Sequence, residues 1–249
     1  MTSSLTIIQI TDCHLFADPY KSGYAGINPY DSLQRVLKSV SQLNPDLVIV
    51  TGDVSGDHSH ISYQHFKQLW KDFGITAQLL SVAGNHDEIT AWQDCFQTAH
   101  QYQQHSLLSG KWHLHLLPSD FKGAKGLLNT EAMQRFSTFV ANNQQAEHIA
   151  VLHHPLTDSG VWMDKHHLLN ANDFKQCLAK NRVTAVLHGH VHTDRHVMVE
   201  NTPVYACPST CWQWANTAEF GVTQQPPGFR IISLDSEGHY KTKVYYLTE

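Results

Sequence analysis

The feature that most constrains the fold is a repeated arrangement in which an apolar, β-prone run is followed at once by polar side chains. Five such runs occur between residues 5 and 192 of this 249-residue chain. The segments between them carry apolar residues at helical spacing, as at Leu33, Val36, Leu37 and Val40. Apolar strands that alternate with amphipathic helices predict an α/β domain with a layered arrangement.

The predicted elements can be placed along the chain. Buried strands are expected at 5–10, 46–50, 78–82, 148–152 and 183–187. Helices are expected from Pro29, capped by Asn28, to a stop at Asn44, over 61–73, and from Thr130 through Val140. After residue 192 only strands are predicted, at 196–199, 204–206, 230–234 and 240–247. No repeat or linker interrupts the pattern, so we expect one domain over 1–249 with a mixed sheet.

Composition excludes several classes of protein. The net charge is −5, which argues against a protein held to nucleic acid mainly by phosphate contacts. No stretch approaches the roughly 20 apolar residues of a membrane span, and the start of the chain lacks the pattern of a secretory signal. Five cysteines without a C-x-x-C pair fit reduced thiols. We therefore expect a cytoplasmic protein with no membrane partner.

Each buried strand ends in residues suited to binding a metal. The clusters are T-D-C-H at 11–14, T-G-D at 51–53, G-N-H-D at 84–87, H-H-P at 153–155 and H-G-H-V-H at 188–192. In open α/β sheets, ligands bind at the carboxyl ends of the strands, so these clusters should converge in space. Carboxylate, imidazole and amide oxygen together suit Mn, Fe, Co, Ni or Zn.

The number of candidate ligands predicts two ions. In Asp12-x-His14 and His190-x-His192, residues i and i+2 of an extended segment would face the same site. Seven ligands are too many for one tetrahedral ion and fit two metals about 3.5–4 Å apart that share a carboxylate. The candidates are Asp12, His14, Asp53, Asn85, His153, His190 and His192.

Each cluster alone also has an ordinary interpretation. Gly52 and Asp53 suit a turn, and residues 85–87 suit the start of a helix. His154 is the alternative to His153, because only one ring of a His-His pair readily faces the metals. Cys13 is expected to point away from the site, and the twelve histidines outside the clusters to lie on the surface or in packing. The five clusters in this order favour the metal site.

Taken together, D-x-H, G-D, G-N-H-D, H and G-H-x-H resemble the calcineurin-like metallophosphoesterase superfamily. The resemblance implies a four-layer αββα sandwich with two mixed β-sheets and a dinuclear metal centre. One metal would take Asp12, His14, Asp53 and His192. The other would take Asp53, Asn85, His153 and His190, with Asp53 bridging.

Further segments are similar to bacterial class III 3′,5′-cyclic-AMP phosphodiesterases. They are LTIIQITDCHLF at 5–16, G-I-N at 26–28, P-S-T-C at 208–211 and P-G-F-R at 227–230. The resemblance implies hydrolysis of cyclic AMP to 5′-AMP by a hydroxide that bridges two ions, which we expect to be Fe or Mn, with Co, Ni or Zn also compatible. His86 would contact the phosphate and protonate the departing oxygen. Asp87 would orient His86 or cap the next helix.

Substrate choice should depend on loops outside the metal ligands. The candidate segments are 15–28, 156–169 and 207–229, the last of which contains Trp212 and Trp214. These tryptophans could stack on a purine, pack in a homodimer contact or cover the sheet. The alternative functions are a broader phosphodiesterase acting on glycerophosphodiesters or other small diesters, and a metal-binding scaffold without activity. A nuclease would need a basic groove, which 17 basic against 22 acidic residues do not predict.

Overall fold

The computed structural model describes residues 4–248. Its strands are β1 (Ser4–Ile10), β2 (Leu47–Thr51), β3 (Gln78–Val82), β4 (Gln103–Leu107), β5 (Trp112–Leu116), β6 (Glu147–Val151), β7 (Ala185–His188), β8 (Arg195–Val199), β9 (Thr202–Ala206), β10 (Gly228–Asp235) and β11 (Tyr240–Tyr246). Its α-helices are α1 (Pro29–Leu43), α2 (His60–Asp72), α3 (Ile89–Phe96), α4 (Thr130–Asn142) and α5 (Ala171–Lys180).

The strands form two mixed sheets. The first has the order β11-β10-β1-β2-β3, and the second has the order β4-β5-β6-β7-β9-β8. In the first sheet β1, β2 and β3 are parallel, while β10 and β11 are antiparallel neighbours. In the second sheet β5, β6, β7 and β9 are parallel, and β4 and β8 are antiparallel edge strands. The five strands that end in the polar clusters, β1, β2, β3, β6 and β7, all belong to the parallel parts of the two sheets.

The two sheets pack face to face, with helices on both outer surfaces. Between the sheets, Ile7 and Ile49 from the first belong to the same apolar core as Leu114 and Ile149 from the second. Helices α1, α2 and α3 bury their apolar faces against the outside of the first sheet, and α4 and α5 against the outside of the second. The predicted four-layer αββα sandwich is confirmed.

Helix α1 illustrates why the local sequence forms these elements. The Asn28 side chain accepts hydrogen bonds from the main-chain N–H groups of Tyr30 and Asp31, which have no partner within the helix. Pro29 occupies the first helical position, where no N–H is needed. The helix ends at Asn44, which adopts a left-handed conformation with φ of 46°. The predicted start and end of this helix are confirmed.

Two strands and one helix, β4, β5 and α5, were not predicted from the sequence. In β5, His113 and His115 alternate with leucines and read as polar residues, yet both are buried. They are tolerated because they have hydrogen-bonding partners: His115 contacts the Tyr102 hydroxyl at 2.9 Å and His148 Nδ1 at 3.0 Å. Helix α5 buries only Phe174 and Leu178, too few residues to show a clear helical period.

No helix in residues 4–248 is both long and apolar enough to cross a membrane. All five cysteines are free thiols, and all but Cys177 are buried.

Candidate metal centre

The seven predicted ligands converge at one edge of the sandwich. They follow the carboxyl ends of β1, β2 and β3 in the first sheet and of β6 and β7 in the second. Six of them are no more than 6% exposed, and Asn85 is half-buried. Because the two sheets face each other, the strand ends bring together side chains that are up to 180 residues apart in sequence, His192 against Asp12.

One cluster contains Asp12, His14 and His192. The Nε2 atoms of the two histidines lie 3.1 Å apart. Nε2 of His192 lies 3.2 Å from Oδ1 of Asp12, and Nε2 of His14 lies 3.8 Å from Oδ2 of Asp53.

The second cluster is built around His153. Its Nε2 atom lies 3.2 Å from Oδ1 of Asn85, 3.2 Å from Nδ1 of His190 and 3.4 Å from Oδ2 of Asp53. The same Asp53 oxygen therefore approaches histidines of both clusters. This is the arrangement expected of a carboxylate shared by two ions.

The hydrogen bonds of the ring nitrogens test whether the clusters fit metal ions. Nδ1 of His153 lies 2.7 Å from the Thr51 carbonyl, and Nδ1 of His192 lies 2.9 Å from the Trp212 carbonyl. A carbonyl only accepts, so each Nδ1 donates its hydrogen and Nε2 is the ring nitrogen left to bind a cation in the cluster. Ligand atoms bound to one ion at roughly 2.0–2.2 Å lie about 3.0–3.5 Å apart, which is close to the spacing found here.

One further atom supports a cation site. Oδ1 of Asp12 is buried and has no hydrogen-bond partner in the described part of the chain. A buried polar atom without a partner is costly. A bound cation would satisfy the Asp12 oxygen, and the donor set as a whole fits a dinuclear centre.

The local charges point the same way. Burial lowers the pKa of His14 to about 3, so its imidazole is neutral and able to bind a metal. Burial alone would raise the pKa of Asp53, but neighbouring histidines, His153 first, hold it well below its usual range. Conversely, burial opposes protonation of His153, and the Asp53 and Asp12 carboxylates nevertheless raise its pKa to about 10. The two buried carboxylates therefore demand positive charge at this position.

Five of the seven candidate ligands have left-handed backbone conformations. The φ angles are 54° at Asp12, 47° at His14, 55° at Asp53, 69° at His190 and 44° at His192. The prediction that Asp12-x-His14 and His190-x-His192 lie on extended segments is therefore wrong, because the chain turns sharply where each strand ends. Such conformations cost about 1–3 kcal/mol each and occur where the surrounding structure enforces them.

Several contacts hold these turns in place. The Asp12 and His14 N–H groups donate to the carbonyls of Gly52 and Asp53, at 2.9 and 3.0 Å. The Ser209 hydroxyl, from the P-S-T-C segment, donates to the Asp12 carbonyl at 2.8 Å. This segment therefore supports a ligand, a role that its sequence did not indicate.

The glycines of two motifs allow neighbouring chain segments to approach their backbone closely. A Cβ atom at Gly84 would lie 2.2 Å from Oδ1 of Asp53, and one at Gly189 would lie 2.1 Å from Oγ1 of Thr11. Only glycine fits at these two points without displacing the ligand turns.

Asp87 has a different role from the two that the sequence suggested. Its carboxylate neither contacts the His86 ring nor caps α3, which is capped by Glu88. It accepts hydrogen bonds from the N–H groups of Asp53, Val54, Ser55 and Gly84 and from the hydroxyl of Tyr63. Burial and the nearby Asp53 charge raise the pKa of Asp87 to about 6. Asp87 thus fixes the turn that carries Asp53, and only long-range contacts reveal this.

His86 lies at the margin of both clusters. Its N–H donates to Oδ1 of Asp53 at 2.8 Å, while its half-buried ring stands edge-on to the His14 ring with centroids 4.9 Å apart. One ring nitrogen lies within 4.8 Å of the ligand atoms of His14 and Asp53. The ring can therefore reach a group bound at the centre, while each cluster has four ligands without it.

The structure also distinguishes His153 from His154. Nδ1 of His154 lies 3.0 Å from the Ser119 hydroxyl, and its ring packs beside His190 with centroids 4.8 Å apart. His153, in contrast, contacts both Asp53 and Asn85. This geometry favours His153 as the ligand. Cys13 packs in the core under α1 and α2, away from the clusters.

A cavity of about 630 Å³ opens onto the two clusters. All three segments named above as candidates for substrate choice contribute to its wall. Trp212 stacks on His14 with centroids 5.2 Å apart, and Trp214 stacks on His192 at 4.7 Å. The wall also includes Phe16, Lys21, Tyr24, His86, Trp162, His166 and Phe220. The tryptophans thus cover two of the candidate ligand histidines, His14 and His192.

Comparison with known proteins gives a consistent result. A family model described as calcineurin-like phosphoesterase matches residues 5–194. The 3′,5′-cyclic adenosine monophosphate phosphodiesterase CpdA of Escherichia coli K12 is 32% identical over 250 residues, which cover 98% of this chain and 90% of that protein. CpdA of Haemophilus influenzae is 31% identical over 247 residues, with 96% and 89% covered. A dimetal phosphatase from Danio rerio shares the fold, with a TM-score of 0.68 at 10% identity over 98% of this chain and 99% of that one.

Proposed function

Because the chain belongs to the calcineurin-like phosphoesterase family, we propose that it is a metal-dependent phosphodiesterase that hydrolyses 3′,5′-cyclic AMP to 5′-AMP. The observation that carries this proposal is the pair of complete ligand clusters that share Asp53 at the floor of an open cavity. The relatives that support the choice of substrate align over nearly the whole chain.

Two ions would be held by the two clusters. Asp12, His14, Asp53 and His192 would hold one, and Asp53, Asn85, His153 and His190 would hold the other. When bound, such a pair supplies positive charge at the phosphoryl oxygens and lowers the pKa of a shared water toward neutrality. The imidazole-rich donor set favours Fe or Mn over Mg²⁺, which prefers oxygen ligands.

The protein's own groups then have distinct tasks. Asp53 would hold two positive charges side by side through its one carboxylate. His86 donates a proton to O3′ of the ribose as the P–O3′ bond breaks and the oxygen of a water adds to phosphorus; that water releases one proton to solvent, from which His86 is protonated again. The product is then 5′-AMP. The His86 ring is suited to this proton transfer because it borders both clusters without completing either. The cyclic-nucleotide substrate and the free thiols fit a cytoplasmic enzyme.

The test combines metal analysis with a substrate panel. Purified protein is assayed for metal content and for kcat/KM on cyclic AMP, cyclic GMP, glycerophosphocholine and bis(p-nitrophenyl) phosphate. We expect two ions per chain and the highest kcat/KM among the natural diesters on a cyclic nucleotide. His196→Ala, on the edge strand β8, serves as a control that keeps activity. Higher kcat/KM on glycerophosphocholine than on either cyclic nucleotide would overturn the proposal.

A further inference from the structure

The mouth of the cavity is formed by aromatic rings that bind no metal. Tyr24 and Phe220 are 50% and 56% exposed, which is unusual for two large aromatic residues that lie next to each other. Trp162 packs against Phe220 with ring centroids 4.9 Å apart and planes at 75°. These three rings come from the three separate segments that line the cavity. A substrate that reaches the two clusters through this cavity would pass along these rings.

The rings are arranged in layers away from the centre. Trp214 stacks on the candidate ligand His192 and is only 9% exposed, so little of its ring is free to contact a substrate. The next layer out consists of Tyr24, Trp162 and Phe220, whose ring centroids lie 5.0, 5.3 and 5.7 Å from that of Trp214. In a cyclic nucleotide the ribose separates the base from the phosphorus. A base whose phosphate sits at the clusters would therefore reach this outer layer.

We propose that Tyr24, Trp162 and Phe220 bind the nucleobase by ring contact, and that this contact gives the enzyme its preference for nucleoside cyclic phosphates over diesters without a base. The inference rests on the proposed cyclic-nucleotide phosphodiesterase function. The tryptophans would contribute ring surface only, because the indole N–H groups of Trp162 and Trp212 are covered and inaccessible to a ligand. Stacking tolerates different bases, since every base has a π-face. Adenine and guanine should thus be accepted alike.

The test is Phe220→Ala, compared on cyclic AMP, cyclic GMP and base-free ribose 3′,5′-cyclic phosphate. Phe220 is half-exposed, so its replacement should leave folding intact. We expect KM for both cyclic nucleotides to rise about 5- to 150-fold, the range for loss of one base–aromatic stack, with kcat little changed. KM for the base-free substrate should stay within about 2-fold. Phe121→Ala is the matched control, because Phe121 is 45% exposed and lines a different cavity.

A binding measurement gives a second readout. Titration with the product 5′-AMP should quench tryptophan fluorescence in the wild type at lower concentration than ribose 5-phosphate does, and Phe220→Ala should remove that difference. Sedimentation of both proteins shows whether Phe220 instead lies between two copies of the chain.

The outcomes separate the two proposals. If the wild type hydrolyses neither the cyclic nucleotides nor the base-free cyclic phosphate, the proposed function fails and this inference falls with it. If the wild type prefers cyclic nucleotides but Phe220→Ala changes all three KM values equally or none of them, only this inference is overturned. A shift from dimer to monomer with unchanged KM would likewise overturn it, in favour of a contact between copies.

Discussion

Replacement of His86 by alanine should separate the chemistry from metal binding. In the described residues the ring nitrogens of His86 make no hydrogen bond, and its ring is half-buried beside His14 and His58. Its N–H group, which donates to Oδ1 of Asp53 at 2.8 Å, belongs to the main chain and remains in the variant. We therefore expect His86→Ala to retain both metals and to change the free energy of unfolding by no more than about 1 kcal/mol.

The effect on catalysis should be large and should depend on the leaving group. Loss of a general acid lowers kcat by about 10²–10⁴, or about 2.7–5.4 kcal/mol of transition-state stabilisation. The ribose 3′ oxygen is a poor leaving group and needs a proton, whereas nitrophenolate departs largely unaided. The fall in kcat should therefore be severe on cyclic AMP and clearly smaller on bis(p-nitrophenyl) phosphate.

The assay measures metal-to-protein ratio, kcat and KM for both substrates. His58→Ala is the matched control, because the exposed His58 ring lies 5.8 Å from the His86 ring and has no place in either cluster. It should keep activity within a few-fold of the wild type. An equal fall on both substrates would refute the general-acid role and indicate a residue that positions the phosphate. Loss of one metal would show that His86 is a ligand.

Three further predictions concern the carboxylate, the metals and a buried histidine. Asp53→Asn should reduce bound metal below two ions per chain. It should lower kcat/KM by more than the roughly 10- to 100-fold lost when a residue that only hydrogen-bonds to a metal ligand is replaced. Two bound ions with near-normal turnover would contradict the bridging role. Dialysis against a strong chelator should abolish hydrolysis, and Mn²⁺ or Fe²⁺ should restore it better than Mg²⁺, because four of the ligands are imidazoles; full activity in chelator would exclude the metal mechanism. Burial lowers the pKa of His115 from 6.5 to about 3. Between these two pH values only the unfolded chain binds the proton, so the free energy of unfolding falls as the pH falls from 6.5 toward 3. Between pH 6.5 and about pH 5 this residue should remove about 1–2 kcal/mol of unfolding free energy; urea unfolding should show a shallower pH dependence in His115→Gln, and identical slopes would count against the explanation.

Much of the fold and of the candidate site could be predicted from local sequence patterns. Strands β1, β2 and β3 are near-continuous apolar runs, because both faces of each strand are covered, and such runs are visible in sequence. The polar residues that follow them stand out for the same reason. Strand β5 was missed because His113 and His115 are buried through partners from other elements, which no local pattern records.

The sequence by itself determined which residue types end each strand, and hence the α/β class and the seven candidate ligands, since both depend on side-chain order along single elements. The four-layer αββα sandwich was implied only by the resemblance to the family. Only the tertiary structure decided how those ligands meet. The left-handed turns at Asp12 and Asp53, the Asp87 carboxylate that fixes the Asp53 turn and the aromatic mouth at Phe220 all depend on contacts between distant segments. Such contacts form only when the two sheets pack together, because packing brings strand ends and loops to one edge and excludes the water that would otherwise satisfy their polar groups.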